Sequence, residues 1–585
     1  MYGGSKMERY VGQSVTKREE SYREVTPVAI ILGVLWGAFM AASFTYAGMI
    51  MGFTSGGSAI AAIVGWGILR GLLKKGTVVE NNIVQTIASA VNISVSGVIF
   101  TIPALYIMGL HQEINTLYFF LATAAGAILG ITFIIPLRKQ MIEIDRLRFP
   151  TGTAVATILK TPGSGIEKAR LLFFGMILSA LVYLIQQFPL FGLPHIIPEV
   201  VDLGSVLHLP EWINLTIALS LMVFGMGLIT GRNGLIVLAG GILSYYIITP
   251  VVKALGWIPA DVQGSAISGY VYGTMTRPLG IGMLLGGSIA GLILSLPVIA
   301  VAMKSLAQAS RVKDKNGNSE ELPIYYLIGG AILAFALLLI TAYKLGGLGL
   351  GRSLLTALIG VAWIFIASLL VAMSTGMTDW SPVSGLSLVS VMILLYLTHK
   401  NVPLTILMGA TVGVAISGAA DMMQDLKTGH MVGAIPSRQQ KVELLTAWLG
   451  PIIALTVVGL IWNAYGIGND KVPAPQAMAL KSMVDAVLGG NVPVDKFIAG
   501  GLLGFVLSLS GIPGLGVLVG LSMYLPMLYI IPYGIGCIVN EIAKRKKGYE
   551  FIVEKVLPFA AGLMVGEAAM TLLFAVLTVA GVLQP

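Results

Sequence analysis

Charged side chains are scarce in this sequence: Asp, Glu, Lys and Arg together make up 11% of the chain, against about 25% in ordinary soluble domains. So few charges cannot cover the water-facing surface of 585 residues, which excludes a soluble globular protein. Cysteine is nearly absent. The single Cys537 rules out an internal disulfide and, with no His or Cys beside it, a zinc or iron–sulfur cage. No Gly-x-x-x-x-Gly-Lys-Ser/Thr stretch occurs and the loops are too short for a nucleotide-binding domain, which argues against primary pumping. The histidines, His111, His195, His208, His399 and His430, are scattered. They form neither the His-Glu-x-x-His pair of a zinc protease nor facing pairs for haem. An intramembrane enzyme therefore lacks a motif, and a passive channel is the other alternative to a carrier. No cofactor and no metal site of the protein's own is expected.

What the chain has in abundance is apolar sequence, 56% of all residues. Runs near the roughly 20 residues that cross hydrocarbon recur at 27–48, 55–72, 83–110, 116–137, 168–187, 212–230, 234–252, 278–303, 323–343, 353–375, 383–399, 403–420, 441–463, 494–512, 513–535 and 556–583. The expected fold class is all-α: a polytopic integral membrane protein of about 14–16 transmembrane helices, several of them broken or re-entrant, with the lipid bilayer as solvent. Glycine-rich stretches such as Gly52 to Ser58 and Gly511 to Gly514 are where helix continuity should fail, and in lipid such breaks survive where they line a cavity.

The net charge of +9 reflects basic loops, not a nucleic-acid partner. Such loops surround Arg70, Lys74 and Lys75, then Arg138 to Arg148, then Lys304 to Lys315, whereas 188–211 contains no Lys or Arg. The alternation puts the N-terminus inside the cell membrane, and residues 1–26, charged and without an apolar core, read as a cytoplasmic tail. Carried to the end, it places Lys544 to Lys547 outside, against the same rule. One segment after Lys304 is therefore miscounted.

The two halves resemble each other. A shift of 280 lays 231–240 (GRNGLIVLAG) on 511–520 (GIPGLGVLVG), and another pairs Gly48-Met49 and Gly57 with Gly376-Met377 and Gly385. An internal duplication is expected, with substrate at the interface of the repeats. Its parts are a tail 1–26, a first repeat 27–303, a linker loop and connecting helix 304–350, and a second repeat 351–585.

Three polar islands interrupt the apolar spans. In the first, Glu80 to Thr86, one helical turn carries Asn81, Asn82 and Gln85 on a shared face beside Thr86, suited to a polar solute; the same residues also read as a helix N-cap. In the second, Asp421 and Asp425 stand i, i+4 beside Gln424, Lys427 and His430, a cluster able to hold a cation, a proton or an amine. A solvated loop with ordinary charges is the plainer reading. In the third, Arg148, Pro150 and Thr151 lead into a short apolar piece, the mouth of a half helix whose amides suit an anion.

Together ENNIVQTIASA at 80–90, GVIFTIPAL at 97–105, RFPTGTAVATIL at 148–159 and DMMQDLKTGHMVGAIPSRQQ at 421–440 resemble the oligopeptide transporter family, in particular its yellow-stripe-like and prokaryotic branch. The resemblance spans nearly the whole chain. It implies a secondary active transporter that takes up small peptides, peptide derivatives or siderophore-like metal chelates by symport with protons, and it leaves a homodimer open. Asn81, Asn82, Gln85, Thr86, Arg148, Thr151, Asp421, Gln424, Asp425, Lys427 and His430 become candidates for binding substrate, with the first two islands meeting near mid-membrane. Glu567, alone within an apolar span, and Glu80 are candidates for proton coupling.

Overall fold

Where no water competes for backbone hydrogen bonds, a chain this apolar satisfies its amides within helices. The computed structural model describes residues 23–583 except 54–55, 114, 188–196, 310–320, 380, 491–492 and 513. The tail through residue 22, the basic residues Arg311, Lys313 and Lys315, and Pro513 thus lie outside the described residues. Among the described residues, ten helical segments are long and apolar enough to cross a membrane, and Ser58–Leu72, Val383–Leu397 and Leu515–Tyr524 are shorter apolar ones. A two-stranded sheet, Val200–Asp202 against Thr216–Ala218, accompanies them. The chain is an all-α polytopic membrane protein.

The helix Val402–Val432 is the axis of the packing. Asn401 caps its start by accepting from Leu404 N at 3.0 Å, and Gly433, with φ 80°, ends it in the left-handed conformation that favours glycine. Other backbones reach it because glycine faces it: a Cβ on Gly97 would lie 2.1 Å from Val414 N, one on Gly130 2.1 Å from Ala415 O, and one on Gly152 2.3 Å from Gln424 O. Between lipid-exposed helices there is no hydrophobic drive to associate, so this close approach supplies dispersion contact instead.

Side-chain contacts sort the helix ends into two faces. On one, Thr26 donates to Glu80 at 2.5 Å, Glu24 accepts from Ile435 N, Arg138 pairs with Glu143 and Glu321, and Lys168 lies 3.4 Å from Glu554. On the other, Ala474 N donates to Met49 O and Gln476 to Gly52 O. Two helix–break–helix units run in opposite senses between these faces. Pro27–Met51 ends at Gly52, φ 72°, on the second face before Ser58–Trp66 turns back. Gly349–Thr378 ends at Asp379, φ 65°, whose carboxylate meets Thr151, before Val383–Leu397 turns back.

Two further units are helical hairpins that return to the face they left. In one, Leu221–Thr230 leads through Gly231, φ 60°, into Leu235–Ile242 and on to Ala254. Its roots are joined by Tyr246 donating to Asn214 O at 2.9 Å and by Lys253 over the Trp212 ring. In the other, Val494–Ser508 and Leu515–Tyr524 both pack on Arg277–Ala309 through Gly500, Gly504 and Gly520.

The second hairpin resolves the charge conflict in the segment count. The run 513–535 is two elements and not one: Leu515–Tyr524 closes the hairpin, and Met527–Phe551 starts a new helix after extended Leu525 (φ −72°, ψ 139°) and Pro526. Both elements are apolar and their junction holds no charge, so hydropathy runs through the break that Pro526 enforces. With that crossing added, Lys544 to Lys547 reach the same face as Glu80 and Arg138, where Gly548 (φ 86°, ψ 169°) bends the chain into Leu557–Val579. We expect single cysteines placed at Lys74 and Lys546 in a Cys537→Ala background to react with an impermeant maleimide from one side of sealed vesicles, and Glu211→Cys only from the other. Labelling of Lys546→Cys together with Glu211→Cys would refute this path.

Candidate functional site

The first island opens the helix Val78–Ile93, and its cap is Thr77, whose hydroxyl accepts from Glu80 N at 3.1 Å. The Asn and Gln amides are therefore not used to finish a helix end. Asn81, Asn82, Gln85 and Thr86 are all fully buried. Asn81 Nδ2 donates to Ala62 O at 3.0 Å and so holds the short helix Ser58–Trp66 in place. Gln85 Nε2 donates to Asp425 Oδ1 of the central helix. The two islands meet.

Around that contact the polar groups interlock. Ser89 Oγ donates to Asp421 Oδ2 at 2.5 Å, and Ser58 Oγ lies 2.7 Å from Ser89 Oγ and 3.5 Å from Asp421 Oδ1. Gln439, from the helix Pro436–Thr446, donates to Thr86 Oγ1 at 2.9 Å and to the Asp425 carbonyl at 3.0 Å. Glu443 of the same helix completes the group: carboxylate oxygens of Asp421, Asp425 and Glu443 lie within 4.8 Å of one another, all three buried. Several buried atoms here have no hydrogen-bond partner among the described residues, namely Asn81 Oδ1, both side-chain polar atoms of Asn82, Gln85 Oε1, Asp425 Oδ2 and Glu443 Oε2. Each such group costs about 1–3 kcal/mol when left unmade, a sum that packing alone does not justify. The arrangement leaves buried donors and acceptors of the kind that could meet a polar or cationic group.

The other candidates are distributed differently. Gln424 turns away from Gln85: its Oε1 accepts from Gly152 N at 2.7 Å and its Nε2 donates to Asp379 Oδ1 at 2.8 Å. Thr151 N and Oγ1 both donate to Asp379, at 3.1 and 2.8 Å. The start of the helix Pro150–Lys160 does hold a carboxylate, and it is the chain's own Asp379. Arg148 is exposed, Lys427 half-buried and His430 exposed, outside the carboxylate group. Glu80 is tied to Thr26 at the basic face.

Glu567 sits elsewhere, in a small cavity of about 80 Å³ lined by Tyr46, Tyr183, Glu199, Lys471 and Tyr529 among others. Its carboxylate accepts from Ser220 Oγ at 2.6 Å and from Met222 N at 2.8 Å, at the N-terminus of Leu221–Thr230, where a helix dipole favours negative charge. The helix Pro27–Met51 links the two places, with Tyr46 in the cavity and Met40 against Gly57 beside Asn92.

Sequence reasoning missed Glu443, Ser58, Ser89 and Gln439 as site residues. Gln439 and Glu443 stand i, i+4 on one face in the head of an apolar span, a signal that could have been read, whereas Gln440 turns to Glu321 and Leu322. The serines carried none, since single hydroxyls are common in membrane helices.

Residues 24–578 match the model of a family described as OPT oligopeptide transporter protein. The chain belongs to the OPT family. A Haemophilus influenzae protein named "Putative oligopeptide transporter" is 28% identical, over 92% of this chain and 93% of that protein. The metal-nicotianamine transporter YSL1 of Arabidopsis thaliana is 25% identical, over 97% of this chain and 94% of that protein. Both names, like the family's, are those of transporters, and the chain is a membrane transporter rather than an enzyme.

Within this OPT-family centre Gln439 links two helices to the central one. Gln439→Ala removes both donors and leaves the Thr86 hydroxyl and the Asp425 carbonyl short of a partner. We expect a loss of about 1–3 kcal/mol, seen as a lower unfolding temperature of the purified protein. An unchanged unfolding temperature would show that the two contacts contribute nothing.

Proposed function

We propose that the chain takes up small peptides, peptide derivatives or metal chelates across the cell membrane by symport with protons, its N-terminus in the cytoplasm. The observation that carries this reading is the buried contact of Gln85 with Asp425, which joins amide and carboxylate groups of distant segments. Amide donors and acceptors suit a peptide-like backbone, and carboxylates suit an ammonium group or the positive charge that accompanies it. The names of the relatives, one for oligopeptides and one for metal–nicotianamine, point to the same solute classes.

The alternation of access is assigned to two repeats, 27–303 and 351–585, joined by 304–350. Their opposed helix–break–helix units support an inverted relation, the common plan of secondary transporters. Such a plan lets one bundle rock against the other about a central site. Glu567, buried away from that centre against Ser220 and Met222, is the group through which a proton gradient would act. Three carboxylates this close and shielded from water cannot all stay charged without a compensating positive charge. The basic loops around Lys74, Arg138 and Lys546 support a cytoplasmic position for that face.

Uptake into proteoliposomes tests this reading, with a panel of di- and tripeptides and of metal–nicotianamine chelates under an imposed proton gradient. We expect the parent protein to concentrate at least one panel solute and to lose that ability when an ionophore collapses the gradient. Asp425→Asn should lower uptake at least tenfold. Glu567→Gln should abolish accumulation while solute exchange persists, because exchange need not release the proton. Accumulation by Glu567→Gln equal to the parent would remove Glu567 from coupling. No gradient-dependent uptake of any panel member would contradict the proposal itself.

A further inference from the structure

The carboxylate group at the centre has the composition of a cation site. Its charged members, Asp421, Asp425 and Glu443, are buried, and the ion pairs formed by Arg138, Lys168 and Arg438 go to other acids. Among the described residues no Lys or Arg ion pair reaches these three. A second observation, independent of the acids, points the same way. Gln85 is fully buried, its Nε2 is spent on Asp425 Oδ1, and the Oε1 beside it has no partner. That amide therefore presents a carbonyl oxygen next to the carboxylates. Asp425 Oδ2 and Glu443 Oε2 are unpartnered as well.

All these donors are oxygens. Without a thiolate or an imidazole, the set selects hard cations over zinc or copper. The spread of the carboxylate oxygens, within 4.8 Å of one another, is about twice the 2.3–2.6 Å bond that such a cation makes to oxygen, so one ion can reach all three. Charge favours a divalent ion: three carboxylates around a monovalent one would keep two uncompensated charges away from water. Ser89 Oγ donates to Asp421 Oδ2 and Ser58 Oγ to its Oδ1, in the manner of groups that orient a metal ligand.

We infer that Asp421, Asp425, Glu443 and Gln85 form a binding site for one hard divalent cation of the calcium, magnesium or manganese class. The ion is the protein's own ligand, distinct from any metal that arrives inside a chelate. Its ligands come from the helices Val78–Ile93, Val402–Val432 and Pro436–Thr446, so binding ties three elements of the centre together. Such an ion leaves one negative charge on the three carboxylates, and the Gln85–Asp425 pair that carries it faces the solute together with Asn81 and Asn82. The inference concerns the pocket in which transport was proposed, but its test reads no transport. Failure of uptake and failure of ion binding are thus separate results.

The test uses the full chain, purified in detergent and stripped with a chelator. Equilibrium binding of calcium-45 and of manganese, the latter by electron paramagnetic resonance, is measured together with unfolding temperature in calcium, magnesium, manganese or sodium at matched ionic strength. We expect at least one divalent ion to bind once per chain and to raise the unfolding temperature saturably. Glu443→Gln should weaken that binding at least tenfold, whereas Glu550→Gln, an exposed acid, should leave it unchanged. If Glu443→Gln does not fold, Gln85→Met removes the amide oxygen without changing charge and should weaken binding too. Absence of divalent binding, a response to sodium alone, or binding indifferent to both substitutions would overturn the inference.

Discussion

A carboxylate buried in a membrane protein needs a donor, and Asp425 finds one in the amide of Gln85, 340 residues away in the chain. In water such a bond would contribute little, because solvent competes for both partners. Inside a bundle it constrains the helices that carry it, since separating them strands an amide and a carboxylate together. The helices Val78–Ile93 and Val402–Val432 are therefore registered against each other at one point. Around that point Ser58, Ser89, Thr86, Gln439 and Glu443 find their places.

This registration depends on backbones that approach without side chains between them. Gly97, Gly126, Gly130 and Gly152 all face the central helix, and a Cβ on any of them would lie within 2.4 Å of its backbone. Lipid supplies no hydrophobic drive between helices, so small residues and buried polar contacts do the associating. The same polar contacts form the site. On the proposed reading stability and recognition draw on one set of residues, with Gln439 fixing the geometry while Asn82, Gln85 and Glu443 keep unpartnered atoms.

The membrane architecture was legible because hydropathy is a one-dimensional signal, and so were the polar islands 80–86 and 421–425 that interrupt it and that the fold brings into contact. What was not legible depends on geometry. The break at Leu525 and Pro526 carries no charge, so 513–535 read as one span until its two pieces were seen to run in opposite directions. The amides opening the helix Pro150–Lys160 suited an anion from outside, yet Asp379 already occupies them, and 228 positions of sequence separate that pair. Gln424 stands next to Asp425 in sequence but a different way around the helix, which sends it to Gly152 and not to Gln85. Glu567 stood out for its isolation, and its partners Ser220 and Met222 lie at the foot of a hairpin whose fold no local pattern announces.

The account turns on Gln85 and Asp425 acting as one unit in holding the solute, and a double-mutant cycle measures that directly. Affinity for the panel solute that the parent accumulates is determined on purified protein for Gln85→Ala, Asp425→Ala and the double variant. The account predicts that either single change weakens binding and that the double change weakens it little further, a coupling of about 1 kcal/mol or more. Additive losses, or affinity unchanged in the single variants, would contradict it.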